Sequence, residues 1–366
     1  MKFLSPAAHT HGVADRAAVL LINLGSPRTP TAGAVRRYLD EFLRDARVVE
    51  IPRLAWWPLL KGVVLPTRSG SSAARYASVW TPEGAPLLAH SERQQRALLA
   101  EVQRRGLDLD VYLAMRYGDP SIGAALERMR REQVTRLLVL PMYPQYSAST
   151  SASAFDAVMR ILEQTRNLPE LRWVRSFADD SGYIDALRRT VRAYWDEQGR
   201  PEKLLMSFHG LPRRSLQLGD PYHCECAKTA RLLAEALGID RNEYVLSFQS
   251  RFGRGRWLEP YTVDTLRSLG RAGAGRVDVV CPGFVADCLE TLEEIAMEAR
   301  RVFLTSGGRE FHYIACVNDT PRFIQALADL IERHVQGWPV RAQSRAQREE
   351  LARAGAQRAR QLGAER

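Results

Sequence analysis

Short apolar runs alternate with segments of helical periodicity along the first half of the chain. Gly or Pro residues end each apolar run, which is typical of buried parallel strands that lead into loops. The pattern predicts strands at residues 18–24, 110–115 and 135–140 and helices at 34–43, 93–106 and 121–132, the last with Ser121 as its N-cap. This alternating order predicts a parallel sheet covered by helices.

The second half of the chain repeats this order. The pattern predicts strands at 203–208, 243–249, 276–281 and 311–317 and helices at 229–237, 262–269, 288–303 and 321–334. Two pairs of segments also echo each other, LLINLGSP with LLMSFHGLP and RLLVLPMYPQYS with VDVVCPGFVADC. We therefore predict an α/β fold of two doubly wound lobes with a cleft between them. Ligands bind such sheets outside the carboxyl ends of the strands, which here are the loops after residues 24, 115, 140, 208, 249 and 281.

Composition places the chain among ordinary globular proteins. Its 366 residues are 45% hydrophobic and 26% charged, and domains of roughly 100–200 residues predict two of them. The longest apolar stretches, AAVLLINLG and LAWWPLLKGVVLP, are shorter than the ~20 residues of a membrane-spanning helix. The segment MKFLSPAAHTHGVADR at the start of the chain lacks the continuous apolar stretch of a signal peptide. We therefore expect a soluble, cytoplasmic protein.

Positive charge is concentrated at the carboxyl end of the chain. The net charge is +10, and the last 26 residues, with seven Arg and three Glu, account for about +4 of it. A basic tail can attract nucleic acid, but this one has no aromatic residues that could stack on bases and no nucleic-acid motif. We therefore expect no nucleic-acid partner and a mobile, partly helical tail in solvent.

The predicted strand ends carry an unusual concentration of aromatic and basic residues. These residues are Arg116, Tyr117, Tyr143, Tyr146, Trp257 and Phe284. Core packing explains any one aromatic residue alone better than ligand binding does, but their concentration at converging loops indicates a large, flat, partly anionic ligand. A nucleotide is not expected, because the chain has neither the complete GxGxxG fingerprint nor a GxxxxGK[ST] loop.

One histidine and one glutamate in these loops could act together. His209 ends an apolar strand before Gly-Leu-Pro, and Glu290 opens the helix after the strand at 276–281. An imidazole and a carboxylate can coordinate a divalent cation, and the same pair can accept protons near neutral pH. Glu290 also belongs to a series spaced three or four residues apart, which predicts one shared helix face: Asp287, Glu290, Glu294 and Glu298. The series indicates a cation path or, alternatively, a solvated acidic stripe.

Eight segments, in order along the chain up to about residue 335, carry the signature of a known family. They are LLINLGSP (20–27), YLDEFLRDARVVEIP (38–52), YASVWTPEGAPL (76–87), AMRYGDPS (114–121), LPMYPQYSAST (140–150), SFHGLPRRSLQLGDPY (207–222), FQSRFGRGRWLEPYT (248–262) and CPGFVADCLETLEEI (281–295). In these segments the chain resembles the ferrochelatases, which insert ferrous iron into a porphyrin. Eight matches in family order argue against a chance resemblance.

The resemblance implies a chelatase-like architecture of two Rossmann-like lobes that bind no nucleotide, with the porphyrin cleft between them. The first lobe would comprise residues 17–170 plus 313–338, with the last helix packed back on it. The second lobe would comprise residues 171–312, and residues 339–366 would form the basic tail.

The resemblance also implies roles for individual residues. His209 and Glu290 match the metal-binding and catalytic residues, and Arg116 is expected to hold a porphyrin propionate. The residues expected to line the porphyrin pocket are Arg116, Tyr117, Tyr143, Ser149, Ser250, Trp257 and Phe284. Those that match an acidic route for metal or protons are Asp287, Glu294 and Glu298. Residues 54–65 match a pocket lip that can also touch a membrane.

Fe²⁺ is expected as a substrate, and no tightly bound cofactor is expected. Some ferrochelatases carry a [2Fe–2S] cluster, but the position of the internal cysteine in animal members is Ala148 here, and no cysteine follows Cys316. The five cysteines are odd in number and irregular in spacing, which favours free thiols in a reducing compartment. We therefore expect no cluster. Cys288 is a further departure, because animal members often have His at that position.

The predicted reaction is the insertion of Fe²⁺ into protoporphyrin IX to form protohaem, the terminal step of haem biosynthesis. Coproporphyrin as the substrate, and a related cobalt chelatase activity, are the alternatives. A non-catalytic haem-binding protein is a weaker alternative, because such a protein would not need the pair of His209 and Glu290. A monomer is favoured.

Overall fold

Two four-stranded parallel sheets, each covered by helices, form the centre of the protein. The computed structural model describes residues 3, 11–251, 253 and 255–364. The first sheet has the order β2-β1-β3-β4, with β1 Arg16–Asn23, β2 Asp110–Met115, β3 Val134–Pro141 and β4 Glu170–Trp173. The second has the order β6-β5-β7-β8, with β5 Lys203–His209, β6 Tyr244–Gln249, β7 Arg276–Val280 and β8 Glu310–Tyr313. The predicted α/β class with two doubly wound lobes is confirmed.

The central strand of each sheet is a short apolar run that other elements cover on both faces. Residues 18–22 of β1 are fully buried, which is why this strand shows no alternation of apolar and polar residues. β1 pairs with β2 and β3, with Leu21 opposite Leu113 and Leu140. In the second sheet β5 lies between β6 and β7 in the same way. In both sheets the chain therefore turns to opposite sides at the carboxyl end of a central strand, where ligands bind in such folds.

Helices surround both sheets, and three π-helical segments are continuous with them. The helices are α1 Ala32–Leu43, α2 Arg53–Leu59, α3 Leu65–Val79, α4 Pro86–Arg104, α5 Ile122–Arg131, α6 Ser153–Leu162, α7 Ser181–Gln198, α8 Arg213–Gln217, α9 Tyr222–Leu237, α10 Thr262–Arg271, α11 Leu289–Thr291, α12 Arg300–Thr305, α13 Pro321–His334 and α14 Arg345–Gln361. The π-helical segments are Leu60–Val64 between α2 and α3, Ala148–Ala152 before α6 and Leu292–Ala299 between α11 and α12. Within the described ranges, none of these helices combines the length and apolar character needed to cross a membrane.

Most predicted elements are present, and the differences lie in their bounds. Ser121 caps α5 as predicted, because its Oγ accepts a hydrogen bond from the Ala124 N–H (3.2 Å). The predicted strand at 311–317 is too long, since β8 ends at Tyr313 and the chain then crosses to lobe one. There Gln94 donates a hydrogen bond to the Asn318 carbonyl (2.9 Å). This crossing is a tertiary feature that an apolar run alone does not reveal.

The sequence pattern missed β4 and several helices, including α3 and α7. β4, with the sequence ELRW, is an edge strand with too few apolar residues to stand out. α7 did carry a signal, because Asp180 is its N-cap and accepts hydrogen bonds from the N–H groups of Gly182 and Tyr183. An Asp before an amphipathic run is a usual sign of a helix start.

Helix α13 joins the two lobes. On one side Arg105 of α4 pairs with Asp329 (2.6 Å), and on the other Arg322 pairs with Asp185 of α7 (2.6 Å). Its apolar face, which includes Phe323, is buried in the core that the two lobes share. The helix therefore packs on both lobes, and not on the first lobe alone. The domain bounds at 170/171 and 312/313 stay a prediction.

The basic tail is folded against lobe one where it begins. Val340 is buried (5% exposed), and its carbonyl accepts a hydrogen bond from the Asp108 N–H (2.7 Å). Arg348 of α14 pairs with Asp108, and Ala356 is buried against the segment around Gly12. The prediction that the tail is mobile in solvent is therefore wrong, because Val340, Arg348 and Ala356 contact lobe one. Most other side chains of α14 are exposed.

Two truncations should separate the role of Val340 from that of α14. Truncation after Ser344 should leave turnover unchanged, because α14 packs at the amino-terminal side of the first sheet, away from the strand ends that form the cleft. Truncation after Pro339 should also keep activity but lower the free energy of unfolding by roughly 1–3 kcal/mol, because it removes the buried Val340 side chain. Thermal unfolding and turnover of both variants check this. Lost turnover after Ser344 truncation would show that α14 acts on the site.

Candidate active site

The carboxyl ends of the central strands of both sheets meet at the boundary between the lobes. Gln145, after β3, donates hydrogen bonds to the Pro282 carbonyl after β7 (3.1 Å) and to Thr229 of α9 (3.0 Å). The Tyr183 hydroxyl donates to the same carbonyl (2.9 Å). These buried bonds fix the loops after β3 and β7 against each other, so residues from both lobes share one cleft.

His209 is the last residue of β5 and faces this cleft with one nitrogen available. Its Nδ1 lies 2.7 Å from the Gly210 carbonyl oxygen. Because a carbonyl only accepts, Nδ1 must carry the hydrogen, which leaves the Nε2 lone pair for a proton or a metal. Gly210 is required at this position, since a Cβ there would lie 2.6 Å from the Gln249 carbonyl oxygen.

Glu290 and Glu294 lie on the helical segment after β7, where Glu294 is near both Glu290 and His209 of β5. Glu290 is in α11 and Glu294 is in the π-helical segment Leu292–Ala299. A π-helix closes a wider turn than an α-helix, so residues four apart stay on one face. Gln249 of β6 donates a hydrogen bond to the Glu290 carbonyl (2.8 Å), which ties this helix to the sheet that carries His209.

Ser250 holds the Glu294 carboxylate from two directions. Its N–H and its hydroxyl donate to the two carboxylate oxygens, at 2.7 and 2.6 Å. Ser250 adopts the left-handed backbone conformation (φ 63°), which is uncommon for a residue other than Gly and often marks a functional site. Burial raises the pKa of Glu294, while the Ser250 donors and the nearby His209 oppose that rise. Ser250 was expected to line the porphyrin pocket, and its observed contact is with this carboxylate.

The remaining acidic residues of the series differ in their surroundings. Glu298 is half exposed, and Arg75 of α3 pairs with it (3.5 Å) and more closely with Glu293 (2.5 Å). The expectation that Asp287 lies on the same helix face is wrong, because the helix begins only at Leu289. The members that share a face are Glu290, Glu294 and Glu298.

Asp287 is instead the centre of a buried hydrogen-bond cluster. Its carboxylate accepts from Asn318 Nδ2 (2.7 Å), Thr291 Oγ1 (3.1 Å) and the Tyr313 hydroxyl, and its backbone N–H donates to Asn318 Oδ1 (2.9 Å). These contacts fasten the loop before Glu290 to the chain that leaves β8. Asp287 therefore positions the helix that carries the acidic residues.

Arg116 and Tyr117 lie at the end of β2 in a network centred on Asp45. Arg116 pairs with the Asp45 carboxylate (2.5 Å) and donates to Ser153 Oγ (2.7 Å), and the Tyr117 hydroxyl donates to Asp45 (2.8 Å). The positive charge of Arg116 is thus already compensated. A porphyrin propionate would have to compete with Asp45 for it.

The other predicted pocket residues are dispersed along the cleft. Tyr143 is half-buried and its hydroxyl has no hydrogen-bond partner in the described part of the chain. Trp257 lies against Gly210, and Phe284 packs beside Cys281 and Cys288. The Ser149 N–H donates to Ser147 Oγ (3.2 Å). Tyr146 contacts Arg175 at the boundary between the lobes.

Two tyrosines that the sequence did not single out also face Glu290. Burial, followed by the charge of Glu290, raises the pKa of Tyr76 well above its usual value. The pKa of Tyr38 is also raised well above its usual value, by burial first and then by Tyr76 and Glu290. Both stay neutral and can donate hydrogen bonds. They come from α1 and α3, whose amphipathic patterns give no sign of a site.

Among the described residues, no three side chains of His, Cys, Asp or Glu converge closely enough to enclose a metal ion. Cys288, at the position where animal ferrochelatases often have His, is also no substitute proton carrier. Burial and then Glu290 raise its thiol pKa well above the usual value. Among the glutamates of this cleft, burial raises the pKa of Glu294.

Comparisons with known proteins find relatives over nearly the whole chain. The family model described as Ferrochelatase matches residues 16–335. A ferrochelatase of Azoarcus sp. (strain BH72) is 58% identical over 337 residues, which cover 92% of this chain and 93% of that protein. A ferrochelatase of Janthinobacterium sp. (strain Marseille) is 52% identical and covers both chains fully. Among solved structures, SirB from Bacillus subtilis with Fe³⁺ has a TM-score of 0.50 over 88% of this chain and 96% of that one, at 11% identity, which shows similarity of fold alone.

Proposed function

Because this chain belongs to the ferrochelatase family, we propose that its cleft binds protoporphyrin IX and that His209 and Glu290 carry out the insertion of Fe²⁺ into it. The enzyme is a porphyrin metal chelatase, a lyase of haem biosynthesis. The observation that carries the roles of these residues is the orientation of His209. Its Nδ1–H is engaged and its Nε2 is available near Glu294, which in turn lies near Glu290.

The reaction requires a base, since two pyrrole protons must leave as Fe²⁺ enters the ring. Side chains that grip the ring can distort it, so that binding energy exposes a nitrogen lone pair to one face. His209 Nε2 accepts a pyrrole proton at that face. Glu294, whose pKa burial raises, is suited to take the proton from His209, and Glu290 is suited to guide the incoming Fe²⁺. Glu298 then leads toward solvent.

Product formation with two porphyrins tests this function. We expect the purified protein to insert Fe²⁺ or Zn²⁺ into protoporphyrin IX, seen as loss of free-porphyrin fluorescence, and to act more slowly on coproporphyrin. Faster turnover of coproporphyrin would contradict protoporphyrin IX as the preferred substrate, but it would still be chelatase activity. Porphyrin binding without insertion would instead indicate a haem-carrying protein. The relatives named Ferrochelatase do not favour a cobalt chelatase.

We propose that the enzyme holds no iron–sulfur cluster. A cluster normally needs four thiolates, but among the described residues no three side chains of Cys, His, Asp or Glu converge; Cys224 is exposed and the other four cysteines are buried. The porphyrin-free protein should be colourless, without iron–sulfur charge-transfer absorption. A brown anaerobic preparation with about two irons and two sulfides per chain would contradict this.

We also propose a cytoplasmic, monomeric enzyme that touches a membrane surface through residues 54–65. In this segment, here called the lip, Leu54 is 94% exposed, and Trp57, Leu59 and Val63 are exposed as well. Exposed apolar side chains of this kind, carried by a helix that does not span, are typical of contact with the interface of a bilayer. Such contact would suit a substrate that partitions into lipid.

A further inference from the structure

A cavity of about 360 Å³ on lobe one is lined almost entirely by charged side chains. Its walls come from α1, the chain between α1 and α2, the first residue of α2, the residue after β2, and α6. Six lining residues are arginines: Arg37, Arg44, Arg47, Arg53, Arg116 and Arg160. Four are carboxylates: Asp40, Glu41, Asp45 and Asp156. The cavity therefore carries two uncompensated positive charges.

Three of the arginines have carboxylate partners and three have none. The ion pairs are Arg44–Asp40 (3.0 Å), Arg47–Asp156 (2.6 Å) and Arg116–Asp45 (2.5 Å). In the described part of the chain, Arg37, Arg53 and Arg160 form no ion pair or side-chain hydrogen bond. The fourth carboxylate, Glu41, pairs with none of these arginines and accepts a hydrogen bond from the Gly118 N–H (3.0 Å). Three unpartnered guanidinium groups around one cavity favour an anion, and the fork of donors on each suits the oxygens of a phosphate.

The cavity is continuous with the exposed apolar surface of the lip. Arg53 begins α2, and the next residue is the exposed Leu54. Arg44 lines the cavity while its guanidinium lies over the Trp57 ring, 5.8 Å from the ring centre. Arginines beside exposed Leu and Trp side chains are typical of protein segments that lie in the interface of an anionic bilayer.

We propose that this cavity binds the phosphate group of an anionic phospholipid through Arg37, Arg53 and Arg160. The proposal rests on the membrane contact proposed above for the lip, and it adds a specific seat for the headgroup. A lipid held there would have its acyl chains next to Leu54 and Trp57. The enzyme would then recognise negatively charged membranes and would bind with the lip toward the bilayer.

Binding to vesicles of two compositions tests the proposal on the full-length enzyme. The vesicles are phosphatidylcholine alone and an equal mixture with phosphatidylglycerol, and sedimentation measures the bound fraction. The test variant combines Arg37→Gln, Arg53→Gln and Arg160→Gln. The matched control combines Arg271→Gln, Arg300→Gln and Arg301→Gln, which removes the same charge from exposed positions on lobe two. Thermal unfolding of each variant verifies that it is folded.

We expect the wild type to prefer phosphatidylglycerol vesicles. The test variant should bind them roughly 100-fold more weakly, because it loses the attraction of three arginines to the anionic membrane surface. The control should lose much less, and soluble glycerol phosphate should compete with wild-type binding. Equal losses in the two variants would overturn the site and leave only a diffuse attraction. Unchanged vesicle binding with a raised KM for porphyrin would overturn it too, because the arginines would then serve a carboxylate of the substrate.

Failure of the headgroup site can be distinguished from failure of the membrane contact itself. If the wild type binds both vesicle types equally and Leu54→Ser abolishes that binding, the membrane contact stands and the headgroup site is overturned. If the wild type binds neither vesicle type, both proposals are overturned.

Discussion

Replacement of His209 by alanine should lower kcat by at least the 10²–10⁴-fold that positioned acid–base groups typically contribute, while porphyrin still binds. The mutation removes the nitrogen that the Gly210 carbonyl orients toward the cleft. It leaves intact the buried contacts between the lobes, since the bonds of Gln145 and Tyr183 do not involve His209. Stopped-time insertion assays with Zn²⁺ and Fe²⁺ measure turnover, and quenching of protein fluorescence by porphyrin measures binding.

His334→Ala is the matched control for this experiment. It removes an imidazole at the end of α13, outside the cleft, and turnover should stay near the wild-type value. Near-normal turnover in the His209 variant would remove this residue from the mechanism. Loss of both turnover and porphyrin binding would indicate that His209 holds the ring instead of accepting its protons.

The second large effect is expected at Glu290. Glu290→Gln should reduce kcat by about 10²-fold or more, because it removes the carboxylate proposed to guide Fe²⁺ to the ring and leaves the shape of the side chain almost unchanged. Glu298→Gln should cost only a few-fold, since Glu298 is 44% exposed and lies about two helical turns farther along the same face. Both variants are compared in kcat, in KM for the metal and in the pH dependence of kcat.

The results for Glu290 and Glu298 also show whether the glutamates of the acidic face have separate roles or act together. Equal losses in the two variants would argue that the acidic face acts as a single unit. A Glu290→Gln enzyme with normal kcat and a raised KM for the metal would assign Glu290 to capture of Fe²⁺ alone. Because burial raises the pKa of Glu294, a Glu294→Gln variant should change the pH profile more than Glu298→Gln does.

The sequence determined the class of fold because the physical signals for it are local. A fully buried parallel strand needs a continuous apolar run, so β1, β3 and β5 stand out between the Gly and Pro residues that end them. The same local logic gave Ser121 as an N-cap and His209 as the last residue of a strand. Because parallel strands align their carboxyl ends, these local assignments also located the cleft.

The sequence was less informative where partners come from distant parts of the chain. The spacing of Asp287 resembles that of the glutamates after it, yet its carboxylate points to Asn318 and Tyr313, which follow it by about thirty residues and reach it only through the crossing after β8. Likewise, Arg116 pairs with Asp45, and Ser250 donates hydrogen bonds to Glu294. The residues of each pair lie more than forty positions apart in the sequence. No local pattern encodes such pairs.

The chemistry of the site therefore divides between the two levels. Sequence alone determined which side chains could act, because residue types at strand ends and a family signature are visible without coordinates. Only the tertiary structure decided their states: which nitrogen of His209 is available, which carboxylate has a raised pKa, and which three arginines lack a partner. These properties depend on burial and on hydrogen-bond donors brought in from other elements, and both come into existence only when the chain has folded.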